Sequence, residues 1–534
     1  MKKLKKAVCI LLCMTLTAVC GVYCASAAGR DYYYDAVAGN DENDGTESSP
    51  WKSVDGHNCT ITAGTRFLFK RGGTYDVCAT LSASGTADAP IVIGAWGEGD
   101  KPVLTCAGRE NVLTLLDCDY ITVRDVEITA HDGGGIWIDT REKASTGFVI
   151  DNVTFRDMQN DRVMTSRDDF SSGAAGARAA VMVKGLPARS LWPVSDLRIT
   201  NCEVCDAGNG MIVWGANKEP NYEVAIDPVF DTGVRIENCA FHDMDAEAIV
   251  LGMCDGAFVT NCSAIRTCLG RGVDEDGNIL YYTAPMWFWG SVNSTFDHCE
   301  IAYAENVGDG MAVDFDTYSH RCTYQYIYSH DNMRFMCNNP RLDGHYDNTV
   351  RYCLSVNDNR GKARLASPST QNEYGFRFYN NTIVNCADLF VIGMRNGLFA
   401  NNIIVNTDGT RVKFDTFSRL SRGNTIRANA YYGSVLPIGD PFGRYVDPLF
   451  AGTDAADAQS FVLCDRSPLL GKGIAIEDDL REDFFGNPLT DTPNIGCYAG
   501  AGVPSDVRPR HTALRNLLTF IVGFLRAEWQ RLFR

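Results

Sequence analysis

Positive charge is scarce in this sequence. Its 534 residues carry 49 Lys and Arg against 66 Asp and Glu, a formal net charge of −17. So acidic a chain lacks the basic stripe that nucleic acid requires, so no nucleic-acid partner is expected. Lysine is missing altogether between Lys218 and Lys362, which removes it as a catalytic base from the middle of the chain. No second half accompanies the lone CxxC of Cys202 and Cys205, so zinc-ribbon spacing is absent. A leucine ladder is absent too, which argues against a leucine-rich horseshoe.

Export is written into the first residues. Lys2, Lys3, Lys5 and Lys6 precede an apolar run from Ala7 to Cys24, and Ala25-Ser26-Ala27 before Ala28 fits a small-residue cleavage site. Residues 1–27 therefore read as a signal peptide, and the mature protein is expected to be secreted or associated with the cell surface. Thr17 stands where a lipoprotein signal ending at Cys20 would want a large aliphatic residue. Loss of the leader lysines takes the exported chain to about −21. Four of the 21 cysteines lie in the leader and the remaining 17 are odd in number, so one at least has no partner within the chain.

The strongest positive signal is self-similarity. "VIDNVTF" (149–155), "RITNCEV" (198–204), "RIENCAF" (235–241), "FVTNCSA" (258–264), "TFDHCEI" (295–301) and "TVRYCLS" (349–355) share one pattern. "RFYNNTI" (377–383), "LFANNII" (398–404) and "TIRANAY" (425–431) continue it. Each unit reads apolar, any, Asn or polar, Cys or Asn, any, apolar: a short alternating strand closed by a Gly, Asn or Asp turn. One such coil cannot bury its apolar side alone, but stacked coils about 4.8 Å apart can. The repeat predicts a parallel β-helix; propeller blades would be longer. Cys202, Cys239, Cys262, Cys299 and Cys353 fall in one phase with Asn381 and Asn402, which reads as an inward column of small side chains before it reads as a disulfide or metal ladder.

The opening "YYYDAVAGNDENDGTESSPWKSV" (32–54), with "RFLFKRGGTY" and "GTADAPIVIGAWGEGDKPV", and the closing "DPLF", "SPLLGKG", "DFFGNP" and "NIGCYAG", resemble secreted right-handed parallel β-helix proteins of the pectate-lyase-like superfamily. The resemblance implies an all-β right-handed solenoid and a carbohydrate-active role. It implies a β-rich opening over 28–110, the β-helix proper over 111–500, and glycoside hydrolase or polysaccharide lyase chemistry. It does not extend to the catalytic sets of the best-known members. "GIWIDT" (135–140) has Thr140 where the pectate lyase pattern has His, and the polygalacturonase set of paired Asp, Gly-His-Gly and Arg-Ile-Lys is missing.

A second strand follows several repeat units: "GMIVWG" (210–215), "EAIVLG" (247–252), "PMWFWG" (285–290), "GMAVDFD" (310–316) and "NMRFMCN" (332–338). Aligning Met211, Met286, Met311 and Met333 in one inward column puts Ile212, Trp287, Ala312 and Arg334 in one outward column. Trp214, Trp289, Asp314 and Met336 make the next. Asp314, Asp316 and Arg334 are then the candidate catalytic residues, with Trp287, Trp289, Trp214 and Asn338 as the sugar-binding floor of an exposed groove. Aromatic faces suit pyranose rings, and carboxylates supply proton transfer. Asp314 and Asp316, about 6.8 Å apart at Cα, admit an inverting pair or, in a lyase, Ca²⁺ ligands; no other cofactor is called for. Hydrolysis is favoured because lysine is absent. The rival reading is a non-catalytic glycan-binding or surface-layer protein. Asp309 and Asp331 read as turn formers, and His330 as a turn former or an acid–base group. "DEDGN" (274–278) reads as a solvated loop, and the partner expected is a polysaccharide met by a monomer.

Residues 501–511 read as a linker, with Pro504 and Pro509. Residues 512–534 read as a basic amphipathic helix capped by Thr512. Its uncharged stretch is about ten residues, short of the roughly twenty a spanning helix needs. The helix is expected to lie on the β-helix or on an anionic membrane or envelope surface.

Overall fold

The computed structural model describes residues 29–504 apart from 107–110, 131–132, 159–178, 184–191, 215–228, 271–281, 317, 339–345, 361–373, 387–394, 408–411, 416–421, 439, 441 and 479. The signal peptide and the C-terminal amphipathic helix expected from the sequence lie outside the described residues, as do "DEDGN" and most of the linker.

Three long sheets stack along one axis, with 16, 14 and 9 strands. A full coil visits them in turn: Arg235–Glu237 in the first sheet, Ala240–His242 in the second, Ile249–Gly252 in the third. Each strand pairs in parallel with the strands of the coils before and after it. Parallel crossovers of this kind are right-handed, so the architecture is the right-handed parallel β-helix that the repeats call for. Apolar residues from all three sheets meet in one continuous core, with Phe155, Phe241, Phe288, Phe296 and Phe315 fully buried. Each such ring contributes roughly 1.5–3 kcal/mol over leaving it in water.

The repeat motif now has a structural meaning. Its Asn is the corner between first and second sheets. Asn152, Asn201, Asn238, Asn261, Asn380 and Asn401 all adopt left-handed backbone, with φ of 52° to 57°. Asn tolerates that region better than most residues. The residue after it points into the core. Cys202, Cys239, Cys262, Cys299 and Cys353 are buried free thiols. Each donates weakly to the carbonyl two residues back, as Cys239 does to Glu237 at 3.3 Å. Asn381 and Asn402 take over the column in the later coils and bond between coils, Asn381 Nδ2 to the Val350 carbonyl at 3.0 Å and Asn402 Nδ2 to Phe378 at 2.9 Å. One disulfide, Cys78–Cys106, lies apart from this column. The C-terminal segment folds back over the same corner: Ile474, Ile476, Leu480, Phe484 and Leu489 pack on Tyr326, Tyr352 and Tyr379.

The third sheet departs from strict alternation, and this corrects the column alignment. Its strands enter with two successive residues in the core: Ala180–Val181, Ala248–Ile249, Ala312–Val313 and Phe335–Met336. Gly210, before the inward Met211, belongs to the same pattern, since a Cβ there would stand 2.8 Å from the ring of Phe241. The extra inward residue shifts the phase. Met286 therefore pairs with Val313, not Met311, and Trp287 pairs with Asp314. Met211 and Met286 are in the core, but Met311 packs with the tryptophans outside the sheet. Ala312 and Met336, expected outside, are inside.

Candidate functional site

The outer face of the third sheet carries three columns. One follows the register Trp137, Met182, Ile212, Val250, Trp287, Asp314 and Cys337. Beside it run Trp214, Gly252 and Trp289. On the other side, the first strand positions pair Ala179 with Asn209 and Met311 with Arg334.

The tryptophans form one cluster. Trp214 and Trp289 stack with ring centroids 4.9 Å apart and planes at 15°, although a whole coil separates them. Gly252 is that coil's residue in the column, and it makes the stack possible. A Cβ there would sit 3.0 Å from Trp214 Cε3. Trp287 meets Trp214 edge-on at 6.1 Å. The indole N–H groups of Trp137, Trp214 and Trp287 are buried without a hydrogen-bond partner, an arrangement that costs free energy in a finished core.

Asp314 follows Trp287 in its column and is 7% exposed. Its backbone is pinned by Tyr324, whose hydroxyl donates to the Asp314 carbonyl at 2.8 Å and accepts from the Asp314 N–H at 3.2 Å. Burial pushes the Tyr324 hydroxyl pKa far above its usual value, so it stays a donor. Asp316 follows on the same strand end and is partly exposed. Arg334 is partly buried beside Met311, and its charge, with those of Asp309, Asp314 and Asp316, reaches the thiol of Cys337. Thus Trp214, Trp287, Trp289, Asp314 and Arg334 do share one face. That face is not the open groove expected, because Trp214, Trp287, Trp289 and Asp314 are buried. Asn338 leaves the group. It pairs in register with Phe315, an inward residue, and is buried.

Other candidates fall elsewhere. His330 belongs to the second sheet and bridges Asp331 and Glu300 at 3.0 and 3.3 Å. Asp331 shapes its corner with φ 56°. Among the described residues the one close group of His, Cys, Asp and Glu donors is Asp76, Cys78 and Cys106, two of which form the disulfide. Their donor set does not by itself make a calcium cage.

Sequence reasoning missed Glu247. It precedes the strand Ile249–Gly252 and is completely buried, and no other residue bonds either carboxylate oxygen. Burial, and then the charge of Asp309, push its pKa up to about 8. The signal was present in "DAEAIVLG" (245–252), where a lone Glu interrupts an apolar strand entry.

No protein-family model and no curated protein matches the chain. Solved structures do. The chain is similar to a GH136 lacto-N-biosidase from Eubacterium ramulus, at 17% identity and TM-score 0.51, over 75% of this chain and 68% of that one. It is also similar to XylC, solved with xylose, at 12% identity and TM-score 0.52, over 89% of this chain and 99% of that one. These likenesses establish the β-helix fold.

Proposed function

We propose that this protein is an exported carbohydrate-active enzyme that cleaves a glycan on the outer face of the third sheet, by hydrolysis rather than elimination. The observation that carries the reading is the register of Trp287 with Asp314, beside stacked Trp214 and Trp289. In support of the reading, indole rings and a backbone-pinned carboxylate stand on adjacent rungs about 4.8 Å apart. The two structural neighbours, one named as a lacto-N-biosidase and one holding xylose, fit a carbohydrate ligand.

In this reading Asp314 is the base that activates water, or the nucleophile, and Asp316 assists at the partly exposed end of the strand. Arg334 orients an anionic or hydroxyl-rich portion of the substrate. A lyase would instead need Arg334 as base and a metal on Asp314 and Asp316.

The test is a polysaccharide and oligosaccharide panel digested by the purified full chain, with and without chelator. New reducing ends without ultraviolet-absorbing products, insensitive to chelator, are expected. Unsaturated products would replace hydrolysis with elimination. Glycan binding without cleavage, unchanged in Asp314→Asn, would make the protein a binding module.

A further inference from the structure

We infer that the corner between the third and first sheets carries a second ligand site, a ledge of Tyr346 and Tyr374 flanked by His320, Arg321, Arg395 and Arg422 that binds a strand of acidic glycan; the choice of a glycan among polyanions rests on the carbohydrate-active reading above.

The ledge follows from the way each coil enters the first sheet. Arg321, Asp347, Gly375, Asn396 and Gly423 occupy one turn position, and all have left-handed backbone with φ of 54° to 71°. The residue after the turn points inward, and Cys322, Asn348 and Phe376 are buried. The residue before it stands three positions ahead of its strand and stays at the surface: His320, Tyr346, Tyr374, Arg395 and Arg422. Backbone hydrogen bonds join these five in order. The N–H of Arg321 donates to the Tyr346 carbonyl, Asp347 to Tyr374, Gly375 to Arg395 and Asn396 to Arg422, at 2.8 to 2.9 Å. At about 4.8 Å per rung the five positions span about 19 Å.

Their side chains form repeated pairs. The rings of His320 and Tyr346 stack with centroids 4.5 Å apart and planes at 23°. Arg321 stands over Tyr346 at 5.5 Å and donates to its hydroxyl at 3.0 Å. Arg395 does the same to Tyr374, at 5.4 and 2.6 Å. Tyr374 is 43% exposed for all its size. A ring holds a guanidinium in place but leaves its charge unneutralised.

Charge separates this corner from the rest of the surface. Arg66, Arg141, Arg156, Arg266 and Arg360 each pair with a carboxylate. Among the described residues Arg321, Arg395 and Arg422 pair with none; Arg321 bonds Asn293 and Tyr346, and Arg395 bonds Tyr374. Asp347 is the carboxylate at these five turns, and it leans over Gly375 into space that a side chain would fill. Asp255, two rungs before His320, is held by Asn293 Nδ2 at 2.7 Å. Three guanidinium groups against one carboxylate leave the ledge positive on a chain of net charge −17.

The ligand chemistry follows. Tyrosine faces suit pyranose rings, and the arginine fork pairs with a carboxylate or a sulfate. A strand laid across the rungs meets ring and guanidinium in turn. The Ser319 N–H donates to the Asp316 carbonyl at 3.2 Å, so the ledge begins where the strand carrying Asp314 ends. It holds a long substrate beyond the face proposed for cleavage.

The experiment is calorimetric titration of the full chain with oligogalacturonate, dextran sulfate, unmodified dextran and a thymidine oligonucleotide, at low and high salt. One acidic glycan at least should bind more tightly than dextran and weaken as salt rises; which one binds names the acid group. Arg321→Gln and Arg395→Gln should each lower that affinity about tenfold with the melting temperature unchanged. Arg266→Gln, which removes a paired arginine beyond the second-sheet strand Ser263–Ile265, should bind as wild type does. Three outcomes would overturn the ledge: no binding to either acidic glycan, dextran or the oligonucleotide binding as tightly, or folded arginine variants that bind like wild type. None of these touches the hydrolytic reading. A chain that binds the acidic glycan but cleaves no glycan would overturn that reading and leave the ledge standing.

Discussion

Glu247 and Asp358 are buried to the same degree and held in opposite ways. Asp358, beyond the second-sheet strand Leu354–Val356, accepts hydrogen bonds from the Ser329 and Ser355 hydroxyls and from the Asn332 N–H. Burial raises its pKa, the donors pull it back, and it comes to about 6. Glu247 has burial without donors and comes to about 8. The same contrast separates the two regions around them. At the corner under the C-terminal segment, the Tyr326 hydroxyl donates to the Glu482 carbonyl at 2.7 Å and the Tyr379 hydroxyl to Asp478 at 3.0 Å. On the third-sheet face, the indole N–H groups of Trp137, Trp214 and Trp287 go unanswered among the described residues. Buried polar groups are normally hydrogen-bonded, as at the corner under the C-terminal segment, and those indole N–H groups depart from the rule.

The contrast can be broken most forcefully at the level of activity. Asp314→Asn should lower glycan cleavage about 10²–10⁴-fold, measured as reducing ends, whereas Asp358→Asn should leave the rate per folded molecule unchanged. An inactive Asp358→Asn that is still folded would erase the distinction between the regions.

Next in size is the pH dependence of stability. The folded pKa of Glu247 lies above its ordinary value of 4.5. The native state therefore binds the extra proton between those values, and stability falls as pH rises from about 4.5 toward 8. Glu247→Gln should flatten that decline, so its melting temperature should match the wild type near pH 5 and exceed it at pH 8. Parallel melting curves across this range would mean that the carboxyl ionises without cost.

Asp358→Asn replaces one of the two oxygens that accept from Ser329, Ser355 and Asn332 with a donor, and should cost about 1–3 kcal/mol in denaturant unfolding. A neutral result would show that water replaces the carboxylate there. The smallest change is Gly252→Ala. Its Cβ, 3.0 Å from Trp214, should part the stacked indoles at a cost of about 1–3 kcal/mol, and near-ultraviolet circular dichroism should report the loss. An unchanged spectrum would show that Trp214 yields without strain.

Much of the fold was legible in the sequence because one local event recurs. The corner Asn and the inward Cys or Asn after it are a turn that only certain residues make, so they mark every coil. The third sheet was harder for a definite reason. Alternation predicts faces only while it holds, and two inward residues at each strand entry shift the phase. That slip moved Asp314 from beside Trp289 to beside Trp287, and sent Met336 and Ala312 to the wrong face. Asn338 was lost to the same error, while Trp214, Trp287 and Trp289 survived it because their strands keep the same phase. Glu247 escaped notice because a single carboxyl between two alanines carries no pattern. Only the third dimension shows that nothing answers it.

The tryptophan cluster has a spectroscopic consequence. The chain has eight tryptophans, and Trp137, Trp214, Trp287 and Trp289 all lie on the face assigned to substrate. The emission of the whole molecule is thus weighted toward one surface, and Trp214 and Trp289 are close enough to exchange excitation within their stack. A ligand that parts those rings or wets them changes the colour and lifetime of the protein's own light. No label is needed to see this face open.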